Sequence, residues 1–115
     1  MNPVADFVDR FFNDEVIKCN YVPNGYVFEC FKAYCEKNQN RNYFLNSRTL
    51  HKQIKKILPK TFRPKEVTIK KGQKFYEEFN PHLVSNPWHF DAYDNGRNKK
   101  EDQQDAKKER GYGKN

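Results

Sequence analysis

The sequence lacks any apolar run of the length that a membrane-spanning helix needs, so we expect no membrane partner. Its opening residues, Met1-Asn2-Pro3, lack the basic and then apolar layout of a signal peptide. It has three cysteines, an odd count without a CxxC pair, which argues against a disulfide scaffold. Together these absences predict reduced thiols and a cytoplasmic location.

Hydrophobic residues are also scarce. They make up 36% of the 115 residues, and the mean hydropathy is −1.15. The length suits one small domain, and 10 Phe and 7 Tyr supply the large side chains that a modest core requires. The five glycines include no phosphate-binding GxxxxGK[ST] motif, and no primase motif occurs. We therefore expect a chain that is not itself an enzyme and has no cofactor.

Positive charge is concentrated in one part of the chain. Residues 41–75 contain 11 basic side chains and one acidic side chain, Glu66, whereas the segments on either side are slightly acidic. The net charge of +7 therefore comes from this window alone. Solvated faces usually mix both signs of charge, so a window with one acid among eleven bases predicts an anionic partner.

Two helices are predicted in the first third of the chain. Asn2 is a good N-cap and Pro3 suits the first helical position. An apolar stripe follows at helical spacing: Val4, Phe7, Val8, Phe11 and Phe12. Residues 16–22 are rich in β-branched side chains and predict a short strand that Pro23 ends. A second stripe over residues 26–37 predicts the second helix.

A third helix is predicted from Asn46 or Ser47 to about Leu58, where Pro59 stops it. Its two faces differ sharply in chemistry. Leu50, Ile54, Ile57 and Leu58 fall on one side. The opposite side bears only cations: Arg48, Lys52, Lys55 and Lys56.

After Pro59 the pattern predicts a β-hairpin with strands at residues 66–70 and 74–76 and a turn at 71–73. Lysines lie at or beside its tip. Residues 79–90 read as a loop whose apolar side chains pack onto the core. Residues 95–115 are polar and predict a disordered, charged tail.

The predicted fold is a small α+β winged helix of three helices and a short hairpin over residues 1–94, followed by the tail. In this arrangement the third helix enters a DNA groove and the hairpin contacts the neighbouring backbone.

Four segments resemble landmarks of a known family, the C-terminal domain of phage, plasmid and poxvirus-type primase–helicases. They are Asn2-Pro-Val-Ala-Asp-Phe-Val-Asp-Arg-Phe-Phe12, Tyr21-Val-Pro, Phe28-Glu-Cys-Phe-Lys-Ala-Tyr-Cys35 and Leu45-Asn-Ser-Arg-Thr-Leu50. Tyr34 stands where that family usually has Trp. The resemblance implies a winged helix that binds DNA beside a replicative helicase module. Because the chain has no ATPase motif, it would be either a C-terminal fragment of such a protein or a stand-alone relative.

The candidate site is therefore a DNA-binding surface for duplex or forked DNA. Lysines are expected to contact phosphates, and Arg48 is the candidate for a bidentate contact with guanine. The candidate residues, which include the hairpin lysines, are Arg41, Ser47, Arg48, Lys52, Lys55, Lys56, Lys70, Lys71 and Lys74.

Other functions stay open from the sequence. Aromatic residues flank the basic window and could stack on unpaired nucleotides, namely Tyr43, Phe44, Phe75 and Tyr76. A protein-interaction adaptor that recruits a replication partner and a stand-alone winged-helix transcription regulator would share this pattern.

The spacing of the cysteine, histidine and glutamate residues gives little support to a metal site or a catalytic site. Cys30 and Cys35 are too far apart around a helix to share an ion, and the pattern predicts that both lie in the core. His82 and His89 are expected at the surface. His51 with Cys19, or Glu77 with Glu78, could form a reactive pair only if the fold placed them in one pocket.

Overall fold

The structure is a computed structural model that describes residues 2–38, 45–69, 79–85 and 107–115. Its described part contains three α-helices and a three-stranded antiparallel sheet, which confirms the α+β fold class. The elements, in chain order, are α1 (Pro3–Phe11), β1 (Tyr21–Pro23), α2 (Asn24–Lys37), α3 (Ser47–Ile57), β2 (Phe62–Ile69), a 3-10 turn (Pro81–Leu83) and β3 (Lys107–Lys114).

All three predicted helices form. The Asn2 side chain accepts a hydrogen bond from the Val4 amide at 3.0 Å, so the predicted N-cap of α1 is confirmed. The whole predicted stripe of α1 is buried, together with the stripe of α2. Cys30 and Cys35 belong to the buried face of α2, which confirms that they are core residues.

The strand predicted over residues 16–22 is shorter and later than expected. The Asn13 side chain accepts hydrogen bonds from the amides of Glu15 and Val16, which holds the start of this segment in a turn. Ile17 then makes a single antiparallel bridge to Val84. Only Tyr21–Pro23 form β1, because the turn uses the backbone groups that a longer strand would need.

The prediction of a disordered tail is wrong for residues 107–114. These residues form β3, which lies between the other two strands and pairs with both of them. Tyr112 pairs with Val22 on one side and with Pro64 on the other, and its side chain is fully buried. Long-range pairing and one buried ring therefore order a segment whose composition resembles that of a disordered one. Residues 95–106 lie outside the described residues.

β2 confirms the first strand of the predicted hairpin and extends it back to Phe62. In the described part of the chain its partner is β3, to which it pairs along its whole length. The predicted turn at residues 71–73 and the second strand at 74–76 lie outside the described residues.

Aromatic rings form the centre of the core. Phe7 stacks on Phe11 with ring centroids 5.0 Å apart, and Phe12 meets Tyr112 edge-to-face at 5.1 Å. Phe79 and Val84 are buried as well, so these two apolar residues of the 79–90 loop pack onto the core as predicted. The prediction is wrong for Leu83, which is 44% exposed. Ile57, expected on the buried side of α3, is 45% exposed because it lies in the last turn, beyond the part of α3 that the core covers. No described helix is long and apolar enough to cross a membrane.

Two glycines of β3 allow close approach of neighbouring chain segments. A Cβ atom built on Gly111 would come within 2.6 Å of the Tyr21 ring atom Cε1 and would also collide with the backbone of β1. A Cβ atom on Gly113 would chiefly meet the flexible Lys65 side chain. Gly111 is therefore the more constrained of the two positions.

We expect Gly111→Ala to destabilise the domain by about 2 kcal/mol or more, because β1 would have to move away from β3. Gly113→Ala is the matched control, and its cost should be smaller because the Lys65 side chain can change rotamer. Urea unfolding followed by circular dichroism measures both free energies. Equal stability of the two variants would contradict the described pairing of β1 with β3.

Candidate nucleic-acid interface

The helix α3 begins at a side-chain cap and is anchored by its buried face. Asn46 Oδ1 accepts a hydrogen bond from the Thr49 amide at 2.8 Å, so Asn46 is the N-cap. Leu50, His51 and Ile54 are buried, and the helix packs against α1 and α2. This packing fixes which side of α3 faces the solvent.

The outward side of α3 has only positive charge. We name the side chains of Arg48, Lys52, Lys55 and Lys56 the α3 basic face, and all four are exposed. None of them forms an ion pair with the described residues, whereas Arg10 in α1 pairs with Asp6 at 3.1 Å and Lys32 in α2 pairs with Glu29 at 2.9 Å. Within the described residues, the α3 basic face therefore presents four cations without an acidic partner.

The predicted site residues divide into two groups. The structure brings five of them together on α3: Ser47, Arg48, Lys52, Lys55 and Lys56. Ser47 is the first residue of the helix and is partly exposed. The other four, Arg41, Lys70, Lys71 and Lys74, lie outside the described residues. The flanking aromatic residues Tyr43, Phe44, Phe75 and Tyr76 also lie outside them.

Two cations of β3 pair with Glu66, in a segment where the sequence indicated only a tail. Lys108 Nζ lies 3.8 Å from Glu66 Oε1, and Arg110 Nε lies 3.5 Å from Glu66 Oε2. Glu66 is thus the acidic partner of two cations across the β2–β3 ribbon. No local sequence signal could have assigned these residues, because their position depends on pairing between strands more than 40 residues apart.

An open pocket lies between α3, the start of α2 and the β2–β3 ribbon. Its volume is about 260 Å³, and its walls are formed by Asn24, Lys55, Pro64, Lys65, Glu66, Arg110 and Gly111. Lys55 belongs to the α3 basic face, so the pocket continues that face toward the sheet. Asn24 Oδ1 is buried and accepts no hydrogen bond from the described residues, which leaves one free acceptor in the wall.

A buried hydrogen-bond network joins α3 to β3. His51 Nδ1 lies 2.6 Å from the Tyr112 hydroxyl oxygen, and His51 Nε2 lies 3.1 Å from the Asn24 carbonyl oxygen. Because that carbonyl can only accept, Nε2 must hold the proton and donate it to Asn24, and Nδ1 then accepts from the Tyr112 hydroxyl. No local sequence pattern indicates this network, which positions α3, the start of α2 and β3 relative to one another.

Burial lowers the pKa of His51 to about 4, and the nearby Lys55 charge acts in the same direction. The imidazole is therefore neutral at pH 7 and serves as a structural group. Burial raises the pKa of the Cys19 thiol, whose Sγ donates to the Tyr21 carbonyl at 3.3 Å. Both members of the His51 and Cys19 pair thus have structural partners, while Glu77 and Glu78 lie outside the described residues.

The remaining histidines and cysteines show no metal cluster in the described ranges. No group of three or more His, Cys, Asp or Glu side chains lies close enough there to hold an ion. His82 is exposed, as predicted, and His89 lies outside the described residues.

Comparison with known proteins places the chain in a family. Residues 1–109 match the family described as poxvirus D5 protein-like. No curated protein and no solved structure matches the chain. The match spans the three helices, β1, β2 and the first residues of β3.

The low pKa of His51 predicts a specific loss of stability in acid. The unfolded imidazole titrates near 6.5 and the folded one near 4, so the unfolded state takes up the proton first as the pH falls. Stability is thus intact above about pH 6.5 and is lost progressively toward pH 4, by about 3 kcal/mol. Urea unfolding at about pH 7.5 and 4.5 measures this loss.

His51→Gln should lose about 2 to 3 kcal/mol less over this interval than the unmodified chain, although it is less stable at neutral pH. His82→Gln, a change at an exposed histidine, should behave like the unmodified chain. An equal acid loss in all three proteins would show that His51 is not the buried neutral group described here.

Proposed function

Because the chain belongs to the poxvirus D5 protein-like family, whose members are replication-associated and primase–helicase-related, we propose that it is a DNA-binding domain of such a protein. Its ligand is duplex or forked DNA, and its role is to hold a helicase module on the DNA at an origin. The observation that carries the proposal is the α3 basic face, a fixed set of four exposed cations without an acidic partner among the described residues.

The order of the elements supports assignment to the winged-helix class. The chain runs α1, β1, α2, α3, β2, β3, and β3 lies between β1 and β2 in the sheet. In helix-turn-helix proteins the recognition helix follows a helix that packs across it, as α3 follows α2 here. In this assignment α3 is the recognition helix, and the predicted wing at residues 66–76 extends beyond β2 into residues that lie outside the described ones.

The side chains of the α3 basic face are better suited to contacts with the phosphate backbone than to hydrogen bonds with many bases. Three of the four cations are lysines, which bind phosphates as point charges and release counterions from DNA. Arg48 lies in the first turn of α3, where recognition helices reach base edges, and its planar guanidinium fits the acceptors of guanine. We therefore expect weak sequence preference centred on Arg48.

The burial of aromatic side chains favours duplex over single-stranded DNA. In the described part of the chain every tyrosine is buried, and so is every phenylalanine except the half-buried Phe28 of α2. The α3 basic face thus offers no described ring on which an unpaired base could stack. Phosphate contact along a groove remains the mode that this face supports.

We expect Lys52→Glu combined with Lys55→Glu to abolish binding to labelled duplex and forked DNA, because two phosphate contacts become repulsive. Lys18→Glu combined with Lys37→Glu is the matched control, since it changes the net charge equally at exposed positions outside α3. Fluorescence anisotropy measures binding, and circular dichroism checks that all variants keep their helices.

The affinity of the unmodified chain for DNA should fall as salt is added. If the chain makes about six phosphate contacts, a plot of the logarithm of the binding constant against the logarithm of the salt concentration should have a slope of about −5. Normal binding by the α3 variant, or equal loss in the control, would contradict the assignment of α3. Tighter binding to single strands would indicate stacking on aromatic residues. A folded chain that binds no DNA would favour the adaptor role.

A further inference from the structure

The pocket between α3 and the β2–β3 ribbon has a chemistry that the α3 basic face alone does not explain. We propose that it binds one phosphodiester group of the nucleic-acid backbone through Lys55 and Arg110, and that Glu66 competes with this phosphate for Arg110. The inference rests on the proposed function, and it adds a DNA contact by Arg110 of β3 to the contacts of α3. It also assigns a role to the one acidic residue of the basic window.

The register of the sheet places the two ribbon residues of this site, Glu66 and Arg110, on one face. Paired residues of antiparallel strands point to the same side, so Arg110 lies beside Glu66, and Tyr112 lies beside Pro64 two positions further along. Tyr112 faces α3, because its hydroxyl group bonds to His51. Arg110 therefore projects from the same face of the ribbon as Tyr112.

Helix geometry brings a lysine to the opposite wall. Lys55 follows His51 by four residues, so the two side chains lie one above the other on the same side of α3. His51 bonds to Tyr112, and Arg110 is the next residue on that face of β3. Lys55 and Arg110 both line the pocket of about 260 Å³, which is open to the solvent. Cations from separate elements thus converge on one space: Lys55 from α3, and Arg110 together with Lys65 from the ribbon.

The ion pairs of Glu66 are weak enough for a phosphate to displace them. The side chain of Arg110 is 78% exposed and that of Glu66 is 44% exposed, and Nε is 3.5 Å from the carboxylate oxygen. Exposed pairs of this length contribute little to stability. A DNA phosphate offers the guanidinium a bidentate partner and gains further attraction from Lys55. Binding would therefore exchange the carboxylate of Glu66 for a phosphate, which leaves Glu66 as a repulsive neighbour.

The test is DNA binding by the full chain with three single substitutions and one double substitution. Arg110→Gln should make the salt slope shallower by about 0.9, the value for one lost phosphate contact. Glu66→Gln should tighten binding about fivefold at low salt, because Arg110 is released. Arg63→Gln is the matched control, because Arg63 lies on β2 but on the opposite face and outside the pocket. It should leave the slope and the affinity unchanged.

The double variant Glu66→Gln/Arg110→Gln separates competition from a general charge effect. If Glu66 acts through Arg110, Glu66→Gln should raise the affinity for DNA by less than about twofold in a chain that already has Arg110→Gln. An equal gain in both backgrounds, or a slope unchanged by Arg110→Gln, would overturn the inference while leaving DNA binding by α3 intact. Failure of the unmodified chain to bind any DNA would instead overturn the proposed function, and this contact with it. Thermal unfolding of each variant confirms that the fold is retained.

Discussion

The hydrogen bond between Tyr112 and His51 is the interaction on which the arrangement of the basic surface depends. It joins the last strand to α3 in the core, and the second nitrogen of His51 fixes the start of α2. The bond from the Tyr112 hydroxyl requires a Nδ1 without a proton, so it holds only while the imidazole is neutral, whereas Nε2 can donate to Asn24 in either state. The exposed cations of α3 and the charged residues of β3 take their relative positions from this buried contact.

The separation of charge across the fold follows from the same packing. Residues 2–38 contain six acidic and four basic side chains, whereas residues 45–69 contain seven basic side chains and Glu66. Cations of α1 and α2 pair with acids one turn away on the same helix, but α3 has no acid at all. The α3 basic face therefore has an electrostatic field that nothing on its own helix cancels, as expected for a surface that meets an anionic polymer.

The helices and the α3 basic face could be predicted because their signals are local. Asn2 and Asn46 cap their own helices, and a 3.6-residue period separates Leu50 and Ile54 from the lysines. β3 could not be predicted, because Tyr112 is its one buried large side chain and its order depends on pairing with strands 40 to 90 residues away. The pocket between α3 and the β2–β3 ribbon could not be predicted for the same reason, since one of its walls includes β3. The glycines at 111 and 113 allow β1 and Lys65 to approach the strand.

A titration of the isotopically labelled chain with duplex DNA, followed by two-dimensional amide NMR, tests both the place of β3 in the sheet and the DNA contact of α3. We expect dispersed signals for residues 107–114 in the free chain. On addition of DNA, shifts should concentrate in α3 and around Arg110, whereas α1 and the outer side of α2 should change little. Unstructured signals for residues 107–114 would contradict the described sheet, and shifts centred on α1 and α2 would contradict DNA contact through α3.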